Sequence, residues 1–262
     1  WGFSAINLKN RVIAVIPCHM ASIRFPNKIL LNLHGLPMVE QVRRRALISK
    51  YLKEVYIATC DNVISDKLSK YGVKTIKTSK SHKNGTTRVA EAVANLNCSH
   101  VVLLQGDEPL LIPNYIDLIY KKIFNQPNVK AWNLTSPILG TTQFKDRSIV
   151  KCRVNKNNEI FELQRFYNEN EITNIKSFRK ILGIIAYRKD FLLRLVKLKE
   201  SKNEKENFIE QSRIIDNKYI LKSVNVPKSL PSINLKKDKK IVNDYLNQDH
   251  NQKKLLNKIL SI

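Results

Sequence analysis

Glycine is scarce in this sequence, and its scarcity argues against two familiar nucleotide-binding loops. Only 7 of the 262 residues are glycine, and they form neither a G-x-G-x-x-G nor a G-x-x-x-x-G-K-[ST] pattern. Both patterns use glycine so that the backbone can approach phosphate groups closely. The sequence therefore disfavours a dinucleotide-binding enzyme and a P-loop ATPase.

Cysteine is also scarce. The 4 cysteines are Cys18, Cys60, Cys98 and Cys152, and neither they nor the 5 histidines show the spacing of a metal site. No G-x-S-x-G elbow marks a serine nucleophile. A chain of this length builds a core without disulfides, so we expect reduced cysteines, buried as small apolar side chains, in a cytoplasmic protein.

Long apolar runs are absent as well. No stretch approaches the ~20 apolar residues that a membrane-spanning helix requires, so we expect no membrane span. The first residues lack a basic segment followed by an apolar core, which disfavours a signal peptide. Because the sequence begins with Trp1 instead of Met, we expect it to be a trimmed fragment.

Acidic residues are few, since 22 Asp and Glu face 46 Lys and Arg, giving a net charge of +24. Such an excess invites a nucleic-acid interpretation. The excess is diffuse, however, because the last 66 residues carry +7, close to the charge per residue of the whole chain. We favour background composition, with a nucleotide-attracting surface as the alternative, and expect no specific nucleic-acid binding.

Apolar, β-branched runs alternate with helical patterns in the first half of the chain. The alternation predicts βαβ units, and therefore an α/β fold with a mostly parallel sheet flanked by helices. The helix at 38–49 is expected to expose an arginine cluster, Arg43 to Arg45. The predicted strands are 11–16, 54–59, 73–76 and 101–104, and the predicted helices are 38–49, 61–71 and 86–96.

The second half changes character. Residues 125–180 mix polar turns with short strand-like pieces such as 149–154, and we expect an inserted lobe or a dimer-forming arm within a single domain spanning residues 1–262. Strand character returns at 181–187. Helices are predicted at 190–215, and a terminal helix at 239–261.

Two unusual polar loops follow the carboxyl ends of apolar strands, where open α/β sheets bind ligands. Loop 17–28 carries Arg24 and Lys28, which suit a polyphosphate or simply form a solvated loop. Asp107 in loop 105–109 is a candidate Mg²⁺ ligand or, like Glu108, a cap for the next helix.

A third segment, 84–88, leads into a helix. Thr86 is a possible N-cap, and Arg88 stands in the first turn, where the helix dipole disfavours a cation. We therefore expect Arg88 to face an anion or to pack functionally.

Taken together, these segments resemble a known family. Residues 16–28 resemble the N-terminal loop of sugar nucleotidyltransferases, with the pattern Pro-Ala-Arg-x-x-Ser-x-Arg-Leu-Pro-Gly-Lys. Residues 84–91 and 105–109 narrow the resemblance to the 3-deoxy-manno-octulosonate (Kdo) cytidylyltransferase family. Further matches run through 182–184, 187–188, 210–211 and Arg213, with a weaker match at 233–234.

The resemblance implies a nucleotide-binding α/β fold of the nucleotide-diphospho-sugar transferase type, with a smaller dimerisation lobe. It implies transfer of CMP from CTP to the anomeric hydroxyl of Kdo, releasing pyrophosphate, with Mg²⁺ as cofactor. The setting it implies is the synthesis of lipopolysaccharide precursors by a cytoplasmic homodimer.

By matching positions, the resemblance also implies roles for individual residues. Arg24 and Lys28 would neutralise the triphosphate, and Asp107 would bind the metal. The implied nucleotide-binding residues are Pro17, Ser22, Arg24, Lys28, Thr86 and Arg88; the sugar-binding residues are Gln105, Arg165, Tyr187, Glu210 and Gln211; the metal ligands are Asp107 and Asn234.

Several positions depart from the family pattern. His19 replaces an arginine, Asn27 a glycine, Ile181 a histidine beside the sugar, and Ala186 a glycine. Asn234 replaces a second metal-binding aspartate and keeps an oxygen without the charge, which should weaken Mg²⁺ binding unless Asp238 or Asp244 compensates.

These departures motivate two alternatives. The chain could use another keto-sugar acid, as Ile181 suggests, or be a catalytically impaired homologue that binds nucleotide, as His19 and Asn234 suggest. A nucleic-acid-binding function rests on the net charge alone.

Overall fold

The computed structural model describes residues 11–21, 25–168 and 174–262 of the chain. The strands, β1 to β11 in chain order, are Val12–Cys18, Asn32–Leu33, Leu36–Pro37, Val55–Thr59, Lys74–Lys77, His100–Leu104, Ala131–Pro137, Lys151–Val154, Ile160–Gln164, Phe178–Arg188 and Lys222–Asn225. The helices, α1 to α10, are Met38–Leu47, Asn62–Ser69, Gly85–Ala94, Pro113–Asn125, Gly140–Lys145, Lys189–Leu195, Lys202–Asn207, Ser212–Asp216, Asp238–Gln248 and His250–Leu260.

The chain divides into two compact units. One consists of Trp1–Asp117 with Leu230–Ile262, and the other of Leu118–Ser229. The single domain with an inserted lobe or arm at 125–180 stays a prediction.

The first unit contains a parallel sheet in the order β6-β1-β4-β5. Helix α1 connects β1 with β4, α2 connects β4 with β5, and α3 connects β5 with β6. The predicted βαβ units, and with them the α/β fold, are confirmed. Residues 13–16 of β1 are at most 1% exposed, which explains why this run is apolar without alternation.

The arginine cluster of α1 is buried, so the prediction that it is exposed was wrong. Arg43 and Arg44 are each 8% exposed because the Glu40 carboxylate, which is fully buried, accepts hydrogen bonds from both guanidinium groups at 2.7 Å. Arg45 is fully buried and donates to Gln252 Oε1 at 2.7 Å. Burial lowers the pKa of Arg45 to about 9. The three arginines are therefore hydrogen-bonded inside the protein instead of facing solvent.

The terminal helix predicted at 239–261 is interrupted. The helices α9 and α10 meet at Asp249, which has ψ 118°, outside the helical range, and whose side chain accepts a hydrogen bond from the Gln252 N–H. Aspartate is a favoured N-cap because its carboxylate satisfies an N–H of the first helical turn. The cap therefore starts a new helix within a pattern that is helical on both sides.

The second unit contains strands in the order β11-β7-β10-β8-β9. β11 and β7 are parallel, whereas the other neighbouring pairs are antiparallel. The strands predicted at 149–154 and 181–187 correspond to β8 and β10, and the helices predicted within 190–215 to α6, α7 and α8. The register of β10 against β7 shifts between Ile181 and Ile185.

Two predictions about composition can be compared with the described residues. All four cysteines are buried and free, as expected for small apolar core residues. Across the described ranges, no helix combines the length and the apolar character needed to cross a membrane.

Candidate active site

The strand order reverses between β1 and β6 in the first unit. β1 pairs with β4 on one side and with β6 on the other, all in parallel. Ligands of open α/β sheets bind at such a reversal, beyond the carboxyl ends of the strands. Loops 17–28 and 105–109 follow these two strands, which agrees with the expectation that they share one face.

An ion pair joins the two loops. Lys28 Nζ lies 2.7 Å from Asp107 Oδ2, and the two side chains are 16% and 21% exposed. Lys28 Nζ also donates to the Ile233 carbonyl at 3.3 Å, and the Ile233 N–H donates to the Asp107 carbonyl at 2.9 Å. The structure therefore brings together Lys28, Asp107 and the residue before Asn234, which are far apart in sequence.

The residue before Lys28 has a left-handed backbone conformation. Asn27 has φ 61° and ψ 11° and precedes a 3-10 turn at Lys28–Leu30. Asparagine tolerates positive φ better than most residues other than glycine. Asn27 therefore adopts a left-handed conformation that glycine, the residue of the family pattern at this position, also adopts readily.

Gly106 allows the second loop to pack directly against the first. A Cβ atom at this position would lie 2.5 Å from Ile29 Cδ1 and 3.3 Å from Ile16 Cγ2. Ile29 follows Lys28, and Ile16 belongs to β1. The close approach of the backbone therefore sets where Asp107 stands relative to Lys28.

The start of α3 lies against the end of β1. Asn84 is the N-cap, because its side chain accepts a hydrogen bond from the Thr87 N–H at 2.9 Å, so the prediction of Thr86 as the N-cap was wrong. Asn84 caps the helix because it has the extended backbone angles of an N-cap residue, whereas Thr86 already lies inside the helix. A Cβ at Gly85 would lie 3.1 Å from Pro17 Cγ. Pro17 and the first turn of α3 are therefore in close contact.

Arg88 is 3% exposed and points back toward the end of β5. Its Nη1 donates to Thr78 Oγ1 at 2.6 Å and to the Ser79 carbonyl at 3.2 Å. Both partners are neutral oxygens, so neither hydrogen bond offsets the positive charge of the guanidinium. Desolvation, together with the positive charges of Arg88 and Lys28, lowers the pKa of His19. The lowered pKa disfavours the charged form of His19, whereas the arginine of the family pattern would carry a charge.

The base of loop 17–28 is anchored by a residue that the sequence analysis did not single out. Asp61 Oδ2 accepts a hydrogen bond from the Met20 N–H at 2.8 Å. Asp61 follows β4 in the same way that loop 105–109 follows β6, and this position was the available signal. Ser22 and Arg24 lie outside the described residues.

Asn234 lies in a turn held by Asp238. Asp238 Oδ2 accepts hydrogen bonds from the N–H groups of Asn234 at 2.9 Å and Leu235 at 2.8 Å, while Asn234 Nδ2 donates to Ser232 Oγ at 3.0 Å. One oxygen of the Asp238 carboxylate is therefore bonded to the backbone. Asp244 lies exposed in α9. Compensation by Asp238 or Asp244 stays a prediction.

This donor set suits a magnesium ion that is held partly by its substrate. Over the described residues, no group of three or more His, Cys, Asp and Glu side chains could hold a metal. Mg²⁺ usually takes one or two protein carboxylates and completes its shell with waters and phosphate oxygens. Asp107 would contribute one carboxylate, and Asn234, directly after Ile233, would contribute a neutral amide oxygen. The residues fit Mg²⁺ bound together with a polyphosphate.

The predicted sugar-binding residues fall into both units. Gln105 is exposed directly after β6 in the first unit, and Arg165 belongs to the second. The Arg165 guanidinium donates to main-chain carbonyls at Asn207 (2.8 Å), Phe208 (3.2 Å) and Ser148 (3.0 Å). Arg165 therefore joins two loop segments of the second unit.

Gln211 is tied to the irregular part of β10. Its Nε2 donates to Asn133 Oδ1 at 3.1 Å, and Asn133 Nδ2 donates to the carbonyls of Leu134 and Leu182 at 2.9 Å each. Asn133 is fully buried in β7 and is another residue that the sequence analysis missed. A polar residue inside an apolar strand was the available signal.

The remaining predicted positions also belong to the second unit. Tyr187 is 1% exposed in β10, and Glu210, directly before Gln211, is half-buried. Ile181 is half-buried beside the register shift of β10, and Ala186 is fully buried opposite Trp132.

A buried ion pair fixes the segment that carries Glu210 and Gln211. Arg213 donates to both oxygens of the Glu204 carboxylate, at 2.7 and 2.6 Å. Glu204 also belongs to a capping box with Ser201 at the start of α7. One carboxylate therefore connects the start of α7 with α8.

Comparisons with known proteins agree with this geometry. The family model described as cytidylyltransferase matches residues 13–225. The 3-deoxy-manno-octulosonate cytidylyltransferase of Syntrophotalea carbinolica is 31% identical over 224 residues, which cover 81% of this chain and 89% of that protein. The enzyme of the same name from Francisella tularensis subsp. holarctica is 32% identical over 228 residues, covering 83% and 91%.

A solved structure extends the comparison to three dimensions. The structure of CMP:2-keto-3-deoxy-manno-octonic acid synthetase in complex with CTP matches with a TM-score of 0.84 at 27% identity. The match covers 91% of this chain and 99% of that chain.

Proposed function

The chain belongs to the cytidylyltransferase family, and from this premise we propose that it transfers CMP from CTP to the anomeric hydroxyl of Kdo, releasing pyrophosphate. The observation that carries the proposal is the junction of Lys28, Asp107 and Ile233 at the carboxyl ends of β1 and β6. This is where an α/β sheet binds ligands, and it combines a cation for phosphate with a carboxylate for a metal.

The reaction that we propose is a displacement at phosphorus. The anomeric oxygen of Kdo forms a bond to the α-phosphorus of CTP, the bond from that phosphorus to the bridging oxygen of the β-phosphate breaks, and the hydroxyl proton passes to solvent. Charge develops on the leaving pyrophosphate, so catalysis depends mainly on positioning and on charge neutralisation.

Lys28 and Arg24 carry the positive charge in this proposal. The Lys28 ammonium binds oxygens of the triphosphate, and Arg24 adds a planar fork that suits phosphate. Asp107 and Asn234 would hold Mg²⁺, which neutralises phosphate charge when bound. Arg88 reinforces the positive field from a protected position.

For the sugar acid, we propose the set implied by the family resemblance. Glu210 and Gln211 take polar groups of the acceptor, and the ion pair between Glu204 and Arg213 holds their segment in place. Arg165 shapes two neighbouring loops through its carbonyl contacts. Gln105 and Tyr187 complete the proposed set. We also propose that the protein acts in the cytoplasm, in the synthesis of lipopolysaccharide precursors, and as a homodimer.

The test is pyrophosphate release with Kdo and Mg²⁺, with CTP, UTP, ATP or GTP supplied in turn. We expect turnover mainly with CTP, and we expect Asp107→Asn to reduce it by about 100-fold or more because a charged group at the reacting phosphates is lost. Asp66→Asn is the matched control, since Asp66 is an exposed carboxylate on α2. Normal turnover in Asp107→Asn would refute the assigned chemistry.

A second acceptor is favoured by Ile181, which stands on β10 where the family has a histidine. Under this alternative the chain uses CTP with another eight- or nine-carbon keto-sugar acid. Turnover measured with CTP and a panel of such acids distinguishes this alternative from the transfer to Kdo. Turnover with a different acid, together with gain of Kdo turnover in Ile181→His, supports the alternative. Binding of CTP without turnover on any acid indicates an impaired homologue.

A further inference from the structure

The carboxylate that we propose as a metal ligand is paired with a cation in the protein by itself. Asp107 carries one negative charge, and Lys28 places its positive charge 2.7 Å from that carboxylate. Asn234 is neutral, and the carboxylate of Asp238 is engaged by two backbone N–H groups. A hard dication binds well only where anionic oxygens outweigh nearby positive charge.

Lys28 also contacts a second oxygen beside the same carboxylate. Its Nζ donates to the Ile233 carbonyl at 3.3 Å, and the Ile233 N–H is bonded to the Asp107 carbonyl. The ammonium therefore bridges oxygens from both sides of the junction. A cation that approached Asp107 Oδ2 would meet this ammonium at contact distance, where both electrostatic repulsion and sterics oppose it.

We propose that Lys28 acts as an internal counter-ion that blocks Asp107 until the nucleotide arrives. The triphosphate draws the ammonium onto its own oxygens, and only then is Asp107 available as a metal ligand. The divalent cation therefore enters with CTP and does not load onto the free protein. This inference rests on the proposed function, and it follows from the combination of Lys28 with a neutral residue at position 234.

The first experiment measures Mn²⁺ binding to the nucleotide-free protein by electron paramagnetic resonance. For the wild type we expect no saturable site in the micromolar range. Lys28→Met removes the competing charge and should tighten Mn²⁺ binding by about tenfold or more. Asn234→Asp adds an anionic oxygen and should tighten it independently. Adding Asp107→Asn to either variant should abolish the gain.

Lys236→Met is the matched control for the loss of one positive charge, because Lys236 is exposed two residues from Asn234. We expect it to leave Mn²⁺ binding unchanged. Micromolar binding by the wild type without nucleotide would overturn the inference. An effect of Lys28→Met no larger than that of Lys236→Met would overturn it as well.

A second experiment needs no metal and no folded Lys28 variant. In excess EDTA, Asp107→Asn releases Lys28 and removes a negative charge, so CTP should bind about threefold or more tightly than to the wild type. Unchanged or weaker metal-free binding would contradict the counter-ion role. If Kdo turnover is absent while these binding shifts appear, the proposed function fails and the counter-ion role stands.

Discussion

The backbone at Gly106 approaches Ile29 so closely that a single added methyl group tests the geometry of the site. Gly106→Ala would place a Cβ 2.5 Å from Ile29 Cδ1. Because Cδ1 is the tip of a side chain, repacking can absorb the clash, and we expect a loss of about 1 to 2 kcal/mol in the free energy of unfolding. Urea denaturation of the purified variant provides the measurement.

Ile29→Val supplies the control for this prediction, since it removes only the atom that clashes. In a double-mutant cycle, the Gly106→Ala/Ile29→Val protein should lose less free energy of unfolding than the two single variants lose together. The difference should be about 1 kcal/mol. Strict additivity would show that the strain lies elsewhere, for example against Ile16.

Lys151 is a buried lysine whose charge makes stability depend on pH. It is fully buried in β8, and its Nζ donates to the carbonyls of Asp146 and Arg165. Desolvation lowers its pKa from 10.5 to about 8. Between these two values the unfolded chain binds more protons than the folded chain, so the contribution of Lys151 to stability rises with pH over that window.

We compare the wild type with Lys151→Met to isolate this effect. From pH 8 to 10.5, the free energy of unfolding of the wild type should rise relative to the variant by about 2 kcal/mol. Chemical denaturation at several pH values measures the difference. Two parallel curves would show that Lys151 titrates normally.

At the scale of the element, α7 and α8 depend on one carboxylate. Glu204 is 6% exposed, closes the capping box with Ser201, and binds Arg213 through both oxygens. Breaking a buried ion pair by neutralising one partner typically costs about 3 to 5 kcal/mol. Glu200, 4.0 Å from Arg213, limits the loss here. We expect Glu204→Gln to cost about 3 kcal/mol in thermal or urea unfolding.

Ser201→Ala tests the cap separately. It removes the side-chain acceptor of the Glu204 N–H and leaves the ion pair intact, so we expect a loss of about 1 kcal/mol. Ser201→Asp keeps an acceptor and should retain most of the stability. Equal losses for Ser201→Ala and Glu204→Gln would mean that the ion pair adds nothing beyond the cap.

For the whole molecule, the net charge of +24 predicts a particular kind of nucleic-acid binding. Diffuse positive charge attracts phosphate without reading sequence, so we expect RNA and DNA affinities in the non-specific range of about 10⁻⁴ to 10⁻⁶ M, falling steeply with salt. Fluorescence anisotropy with unrelated oligonucleotides over a salt series measures both. Tight, salt-resistant binding to one oligonucleotide would contradict the prediction.

The second unit leads us to expect a homodimer. It exposes large apolar side chains, among them Leu139 (62%), Phe161 (46%) and Phe166 (48%). Exposed apolar groups of this kind favour association when they form a continuous patch. Light scattering coupled to gel filtration should give about twice the 30.3 kDa mass of one chain. A concentration-independent mass of one chain would refute the dimer.

Local sequence patterns were sufficient to predict the α/β class and the strand ends at which we propose a ligand site. Apolar β-branched runs and helical spacing are local patterns. The alternation of strands and helices over residues 11–104 could therefore be predicted without information about distant contacts. Parallel strands have one polarity, so loops 17–28 and 105–109 had to share one face. The motifs in these loops also predicted Lys28 and Asp107 as candidate site residues.

Packing between distant segments determines which polar side chains meet. Lys28 and Asp107 are 79 residues apart in sequence, and Arg45 and Gln252 are 207 apart. Local patterns showed three consecutive arginines as an exposed cluster, although Glu40 pairs with two of them from the same helix, and the partner of Arg45 in α10 lies at the far end of the chain. Burial and ion pairing arise from packing between distant segments, and a pattern confined to neighbouring residues carries no information about that packing.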